Sequence, residues 1–452
     1  MPKILFANPN SRAMVARPED IPVDVRPFYD VIGDRLLWSL ESGDIAVIPG
    51  PVNKDFLGYL ADTLGLLPEE FTVLSLRDHA SASWYPDSNP GLVEELRDRI
   101  AASGVGADAW TVGCYLHDRD VARWETLLGV GHVEARPFAQ NMVELVNTKS
   151  VFRALALAAG VPVPEGRVTD PGAELIDAVT ELMPRTGSVI VKQDQNSGGD
   201  GNVLVTTDPD VVGLGAYRVL RIAGTGRARV RDALAEVGLA EPPVLPRYTA
   251  GARIVVEVYH PYAKTLSSEL YVPTHTAPVL LNYGDMRMEP VWKGYVFPPQ
   301  DLAGPDHAQL CADSQQIALL AQRIGYHGLI NIDAVLDQRG RMLYTEFNGR
   351  AGGATNIDVI ARRLLGADYL RTHVVVSHNS LPARSLGELL AHLRAAGQLF
   401  SAERGHGVIV ATDSTQTTGT VELVSIGLDR AQAEGLEAEV EEHLRRAEAP
   451  SV

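Results

Sequence analysis

The sequence predicts an α/β protein of several domains, in which a parallel α/β layer precedes a mixed α+β core. Three observations predict this fold class. Short β-branched or aromatic runs alternate with helical segments up to residue 146, two hairpin patterns follow at 188–207 and 328–348, and a helix, two strands and an acidic helix end the chain. We therefore expect boundaries near residues 146 and 380, giving segments 1–146, 147–380 and 381–452.

Composition limits the kind of partner. A chain of 452 residues is long enough for two to four domains, and its 45% hydrophobic and 21% charged residues are typical of globular proteins. A net charge of −17 argues against nucleic acid, and Cys114 and Cys311 are too few for a disulfide framework. The sequence has neither a signal-peptide pattern nor the long uncharged run of a membrane span. We expect a cytoplasmic protein without nucleic-acid or membrane partners.

The first segment alternates strands and helices. Strands are predicted at KILFAN, DIAVIPG, FTVLSL and AWTVGCYL, and helices at NKDFLGYLADTLG, LVEELRDRIAAS and RDVARWETLLG. This alternation is typical of a small parallel sheet covered by helices.

A capped helix opens the second segment at NTKSVFRALALAAG. Asn147 or Thr148 serves as its N-cap and Gly160 ends it. Lys149 falls in the first turn, where the helix dipole disfavours a cation by about 0.3–1 kcal/mol. It is either a solvated surface lysine or one that meets an anion such as phosphate.

A hairpin with a glycine-rich loop follows at SVIVKQDQNSGGDGNVLVTT. Lys192 ends its first strand, and the loop contains Ser197, Gly198, Gly199 and Gly201. Glycines let backbone N–H groups approach phosphate oxygens closely. The loop joins two strands rather than opening a helix, so it is neither a P-loop nor a Rossmann fingerprint.

The next strands carry further candidates. RIVVEVYH ends in Glu257, Val258 and Tyr259. Arg287 and Lys293 lie near aromatic residues, where they either bind a substrate carboxylate or cap a loop.

A second hairpin, GLINIDAVLDQRGRMLYTEFN, concentrates oxygen ligands. Glu346 and Asn348 point to one face of the returning strand, and the turn brings Asp333 beside them within one residue of register. Two carboxylates and an amide oxygen suit Mg²⁺, and Arg350 could reach an anion held by that metal. The alternative is the polar end of a surface hairpin.

The order of these motifs resembles the ATP-grasp superfamily over residues 147–380. The resemblance implies an ATP-grasp fold with an N-terminal parallel α/β pre-ATP-grasp domain (1–146), a lid subdomain at about 185–260 and a small C-terminal α+β extension. It implies ATP and Mg²⁺ as cofactors. The role of the extension stays open, and its two strands either join the main sheet or cover the acceptor side of the site.

The resemblance also implies roles for individual residues. Lys149 and Lys192 would clamp the nucleotide phosphates, and the loop from Ser197 to Gly201 would close over the γ-phosphate. Val258 and Tyr259, after Glu257, would hold adenine. The Mg²⁺ ligands would be Asp333, Glu346 and Asn348.

Two positions depart from the family pattern. Asn331 stands where related ligases carry an arginine, so Arg350 or Arg287 would counter charge on the intermediate. Arg350, Arg287 and Asn331 are therefore the predicted catalytic group. Lys264 lies near the place expected for an acidic ribose-binding residue, which leaves that residue unidentified.

Within the superfamily the chain most closely resembles the pheganomycin-type peptide ligases of antibiotic biosynthesis. The resemblance implies an ATP-dependent ligase that forms a peptide bond through an acyl phosphate, joining an amino-acid-type carboxylate donor to the N-terminus of a peptide. For that type the donor is a guanidino-bearing arylglycine. A small-molecule kinase of the same fold and a non-catalytic nucleotide sensor remain alternatives. Subunit number is open, a homodimer being one option.

Overall fold

The computed structural model describes residues 1–9, 11, 26–79, 83–131, 135–195, 201–240, 253–261 and 263–448. Their strands form three sheets, of four, five and eight strands. None of the described helices is long and apolar enough to cross a membrane.

The four-stranded sheet is parallel, in the order β3-β2-β1-β4, as the alternating pattern predicts. Its strands are β1 (Lys3–Phe6), β2 (Ile45–Ile48), β3 (Thr72–Ser75) and β4 (Thr111–Cys114). The helices of this part of the chain are α1 (Arg26–Asp34), α2 (Lys54–Leu64), α3 (Pro90–Ala102), α4 (Arg119–Leu128), α5 (Ala135–Ala139) and α6 (Met142–Leu145). The side chain of Asn53 caps α2, and that of Asp118 caps α4. A short 3₁₀ helix, Arg35–Ser39, continues directly from α1.

The five-stranded sheet has the order β5-β9-β6-β7-β8. Its strands are β5 (Gly166–Thr169), β6 (Ser188–Gln193), β7 (Val203–Thr206), β8 (Arg218–Arg221) and β9 (Ile254–Val258). Helices α7 (Lys149–Ala158), α8 (Ala173–Leu182) and α9 (Arg227–Ala235) belong to the same part of the chain. β6 and β7 pair antiparallel and confirm the predicted hairpin, whereas the sequence analysis did not identify β5 and β8.

The eight-stranded sheet has the order β14-β13-β10-β11-β12-β15-β17-β16. Its strands are β10 (Lys264–Val272), β11 (Val279–Met288), β12 (Trp292–Phe297), β13 (Gly328–Leu336), β14 (Met342–Asn348), β15 (Val374–Pro382), β16 (Gly407–Ser414) and β17 (Thr420–Gly427). The accompanying helices are α10 (Gly304–Arg323), α11 (Thr355–Leu365), α12 (Tyr369–Thr372), α13 (Leu386–Ala395) and α14 (Arg430–Glu448). The two C-terminal strands, β16 and β17, therefore extend the main sheet.

One hydrophobic core joins the N-terminal layer to this large sheet. Trp38 and Phe56, from the N-terminal layer, are buried in the same cluster as Val375 and Ile409 of the large sheet. The indole Nε1 of Trp38 also donates a hydrogen bond to the backbone oxygen of Ala411, at 2.7 Å. This packing places the 3₁₀ helix after α1 against the eight-stranded sheet.

Candidate active site

The hairpin of β13 and β14 places the predicted metal ligands together. Asp333 pairs with Glu346 and Asn331 with Asn348 across the two strands. The connecting turn is fixed by Asp337, whose Oδ1 accepts hydrogen bonds from two backbone N–H groups further along the turn, at 2.9 Å each. The structure therefore brings Asp333 beside Glu346 as the hairpin pattern predicts, while the role of these residues as metal ligands stays a prediction.

Asp333 and Glu346 face each other in a half-buried position. Ser267 donates a hydrogen bond to Asp333, at 2.9 Å. Burial raises the pKa of Asp333, and the negative charge of Glu346 raises it further. Burial would also raise the pKa of Glu346, but the charges of Lys149 and Lys192 outweigh that effect and lower it. The two carboxylates therefore repel each other, and a divalent cation between them would remove the repulsion, so the residues fit Mg²⁺.

Lys149 belongs to this group rather than to the solvated surface. Its side chain is buried, and its Nζ lies 2.9 Å from Oε2 of Glu346. Asp194, just after β6, holds the helix start in place: its carboxylate accepts hydrogen bonds from the N–H of Ser150, at 2.7 Å, and from its hydroxyl, at 2.9 Å. Asp194 thus links α7 to β6 and brings the two predicted lysines to one site.

Glu257 is held between two cations. Its Oε2 lies 2.7 Å from Nζ of Lys192, and its Oε1 accepts a hydrogen bond from Arg153, at 2.9 Å. Glu257 is only 2% exposed, so both contacts are shielded from water. Arg153, which the sequence analysis missed, lies four residues after Lys149, a helical spacing that could have identified it.

Val258 ends β9 and Tyr259 follows it, and both line the cavity. The N–H of Val258 donates to the backbone oxygen of Glu165, at 2.8 Å, and that of Tyr259 donates to the backbone oxygen of Ser188, at 3.0 Å. These N–H groups are engaged within the protein, so an adenine contact would use other atoms of the segment. The adenine-binding role of Val258 and Tyr259 stays a prediction.

The glycine-rich loop is only partly described. Ser197, Gly198 and Gly199 lie outside the described residues. Gly201 is described and has a φ of +89°, a conformation that favours glycine. The role of this loop over phosphate therefore remains a prediction.

The structure brings two of the three predicted catalytic residues, Arg350 and Asn331, together and places Arg287 elsewhere. Arg350 donates hydrogen bonds to Asn348, at 2.8 Å, and to Asn147, and Asn331 donates to the backbone oxygen of Arg350, at 3.0 Å. Arg287 is not brought to this group. It pairs with Glu437 of α14 and donates to the backbone oxygen of Ser377, at 2.9 Å.

A cavity of about 460 Å³ joins most of the predicted residues. It is lined by Lys192, Glu257, Val258, Tyr259, Asn331, Asp333, Glu346, Asn348 and Arg350. Residues that the sequence analysis did not identify also line it, among them Arg35, Tyr295 and Asn379. They come from distant parts of the chain and form no local motif, so only the tertiary fold reveals them.

A buried carboxyl lies next to Asn331. Glu269 is 1% exposed and accepts hydrogen bonds from Asn282, at 2.7 Å, and from Thr355. Burial, aided by the charge of Asp358, raises the pKa of Glu269 to about 7. The hairpin therefore packs against a group that is easily protonated.

Family models match both ends of the chain. One described as the pre-ATP-grasp domain matches residues 33–130, and one described as the PGM1 C-terminal domain matches residues 388–440. No curated protein matches the sequence.

Solved structures match nearly the whole chain at low identity. A biotin carboxylase–β-γ-ATP complex from Campylobacter jejuni is 14% identical, with a TM-score of 0.56 over 99% of this chain and 95% of that one. An L-amino acid ligase from Bacillus licheniformis is 11% identical, with a TM-score of 0.51 over 98% and 97%. An N5-carboxyaminoimidazole synthase from Aspergillus clavatus, in complex with ADP and 5-aminoimidazole ribonucleotide, is 10% identical, with a TM-score of 0.53 over 98% and 99%.

Proposed function

We propose that this chain, which has the ATP-grasp fold with an N-terminal pre-ATP-grasp domain, is an ATP-dependent carboxylate–amine ligase. ATP and Mg²⁺ are typical of this fold. The observation that carries the proposal is the pairing of Asp333 with Glu346, with Lys149 against Glu346 and Lys192 on the same cavity.

The described residues supply a site for a metal–nucleotide complex. Asp333, Glu346 and Asn348 would hold Mg²⁺, which would neutralise charge on the triphosphate when bound. Lys149 and Lys192 would bind phosphate oxygens. Since both lysines already contact carboxylates that are buried or half-buried, their positions are fixed before the nucleotide arrives.

The proposed reaction has two steps. An oxygen of the donor carboxylate attacks the γ-phosphorus of ATP, the bond between that phosphorus and the β–γ bridging oxygen breaks, and ADP leaves. The acyl phosphate is then attacked at its carbonyl carbon by an amine, which loses a proton as the amide forms and inorganic phosphate leaves. Arg350, on the cavity wall beside Asn348, would stabilise the transferred phosphoryl group.

Water must be kept from the acyl phosphate. The lining of the cavity also includes Met286, Met288, Trp292 and Tyr295. A wall of this kind lowers the number of water molecules near the anhydride and favours attack by the amine.

We further propose that the product is a peptide bond, with an amino-acid-type donor and the N-terminus of an amino acid or peptide as acceptor. The resemblance to the pheganomycin-type peptide ligases and the structural likeness to an L-amino acid ligase support this assignment. The partners would then be small molecules, and the setting the biosynthesis of a natural product.

The test measures ADP release from ATP with pools of carboxylates and amines, followed by mass detection of products. A ligase releases ADP only when a suitable acid is present and yields an amide. Hydroxylamine separates the alternatives, because an acyl phosphate gives a hydroxamate whereas a kinase product does not. A sensor would bind nucleotide without releasing ADP. Glu346→Gln serves as the inactive control.

A further inference from the structure

Arg35 projects from the N-terminal layer into the wall of the catalytic cavity. It begins the 3₁₀ helix after α1, and its side chain is 11% exposed. Its Nε donates a hydrogen bond to Oε2 of Glu422 on β17, at 2.8 Å, and the Glu422 side chain is 3% exposed. The guanidinium is therefore fixed on one edge by a buried carboxylate.

The other edge of the Arg35 guanidinium is open to a ligand. Within the described part of the chain, neither Nη1 nor Nη2 has a hydrogen-bond partner. Arg35 lines the cavity, and a planar pair of N–H groups matches the two oxygens of a carboxylate. This edge is suited to a carboxylate ligand.

Apolar and aromatic side chains surround Arg35. Its Cζ lies 5.5 Å from the ring centre of Trp292, which lies 5.4 Å from that of Tyr295. Gly353 lets the loop after Arg350 approach this ring, because a Cβ at Gly353 would lie 2.3 Å from the indole. The part of the cavity next to Arg35 therefore has an aromatic wall beside a cation.

Arg35 is distinct from the cations near the hairpin of β13 and β14. Lys192 and Arg350 contact Glu257 and Asn348, respectively, on the nucleotide side. Tyr295 is close to both regions. Burial raises the pKa of its hydroxyl, the charge of Asp333 raises that pKa further, and the charge of Arg35 lowers it. The part of the cavity lined by Arg35, Trp292 and Tyr295 is thus continuous with the part at the hairpin, and Arg35 is its own cation.

We propose that Arg35 binds a free carboxylate of the acceptor, and that the acceptor is an amino acid or short peptide with an aromatic or large apolar side chain. This inference rests on the proposed function and names the class of its second substrate. The carboxylate bound by Arg35 is not the one that reacts, because the reacting carboxylate must meet the γ-phosphate near Arg350. Arg35 is a specificity-determining residue in this arrangement.

The test compares the binding of L-phenylalanine and L-phenylalaninamide to the full chain by calorimetric titration in the presence of MgADP. The two probes share the amine and the ring and differ in the carboxylate. We expect the wild type to bind the acid at least about ten-fold more tightly than the amide. The double variant Arg35→Gln/Glu422→Gln, which removes both charges of the pair, should bind the two probes equally.

Two further variants serve as a matched control and as a conservative substitution. Arg99→Gln/Glu95→Gln removes an exposed pair on α3 and should preserve the preference for the acid. Arg35→Lys keeps the charge without the fork and should reduce the preference several-fold, which decides the matter if the double variant does not fold.

The proposal is overturned if the wild type binds acid and amide equally, if it binds neither at millimolar concentration, or if the folded Arg35 variants keep the full wild-type preference. Failure of the proposed function gives a different result, namely preference for the acid without ADP release from any donor and acceptor. Amide formation without a preference for acceptor acids would overturn only the role of Arg35.

Discussion

Replacing Lys192 by alanine should weaken nucleotide binding strongly while lowering the stability of the fold only moderately. Complete loss of a buried charge partner costs about 3–5 kcal/mol. Here Glu257 keeps its hydrogen bond to Arg153, at 2.9 Å, so we expect a smaller loss of stability, about 1–3 kcal/mol. Loss of one charged hydrogen bond to phosphate should weaken nucleotide binding about 10–100-fold.

Calorimetric titration of the folded variant with MgADP measures this effect, and the dependence of ADP release on ATP concentration gives a second readout. Lys293→Ala is the matched control, because Lys293 pairs with Glu289 and does not line the cavity. It should bind MgADP as the wild type does. A folded Lys192→Ala variant with nucleotide affinity within about two-fold of the wild type would refute the phosphate-binding role.

Three further substitutions test other parts of the site. Glu346→Gln should lower metal-dependent ADP release at least about 100-fold, and near-normal turnover would exclude it as a metal ligand. Glu269 has a folded pKa of about 7, above its ordinary 4.5, so the folded protein binds the extra proton and stability falls as pH rises between these values. Glu269→Gln cannot ionise and should not lose this stability. The melting temperature of the variant minus that of the wild type should therefore increase from pH 5 to pH 8, and a difference that stays constant with pH would contradict the raised pKa of Glu269. Gly353→Ala would clash with Trp292 and should cost about 1–3 kcal/mol in thermal unfolding, whereas an unchanged melting temperature would show that the ring yields freely.

The hairpin of β13 and β14 was predictable because it is local. Alternation along two strands and one turn fixed which side chains share a face, and the observed pairing of Asp333 with Glu346 follows from that register. The parallel N-terminal sheet was predictable for a similar reason, since its strands and helices alternate in short, well-capped segments.

Other features depend on contacts between distant segments. Arg35 and Glu422 are 387 residues apart, and no local pattern connects them. Arg287 was predicted near the intermediate as a substitute for the arginine that Asn331 replaces in the family pattern, but its contact with Glu437 depends on where α14 packs. The sequence left open whether Lys149 is a solvated surface lysine or meets an anion, and its contact with Glu346 exists only in the folded chain.

The central claim is that Asp333, Glu346 and Asn348 hold a divalent cation against a triphosphate. A crystal structure of the full chain with Mg²⁺ and a non-hydrolysable ATP analogue tests it most directly. We predict an ion bound by oxygens of these three side chains, with Lys149 and Lys192 contacting phosphate oxygens. A nucleotide bound elsewhere, or these oxygens turned to solvent with no ion between them, would contradict it.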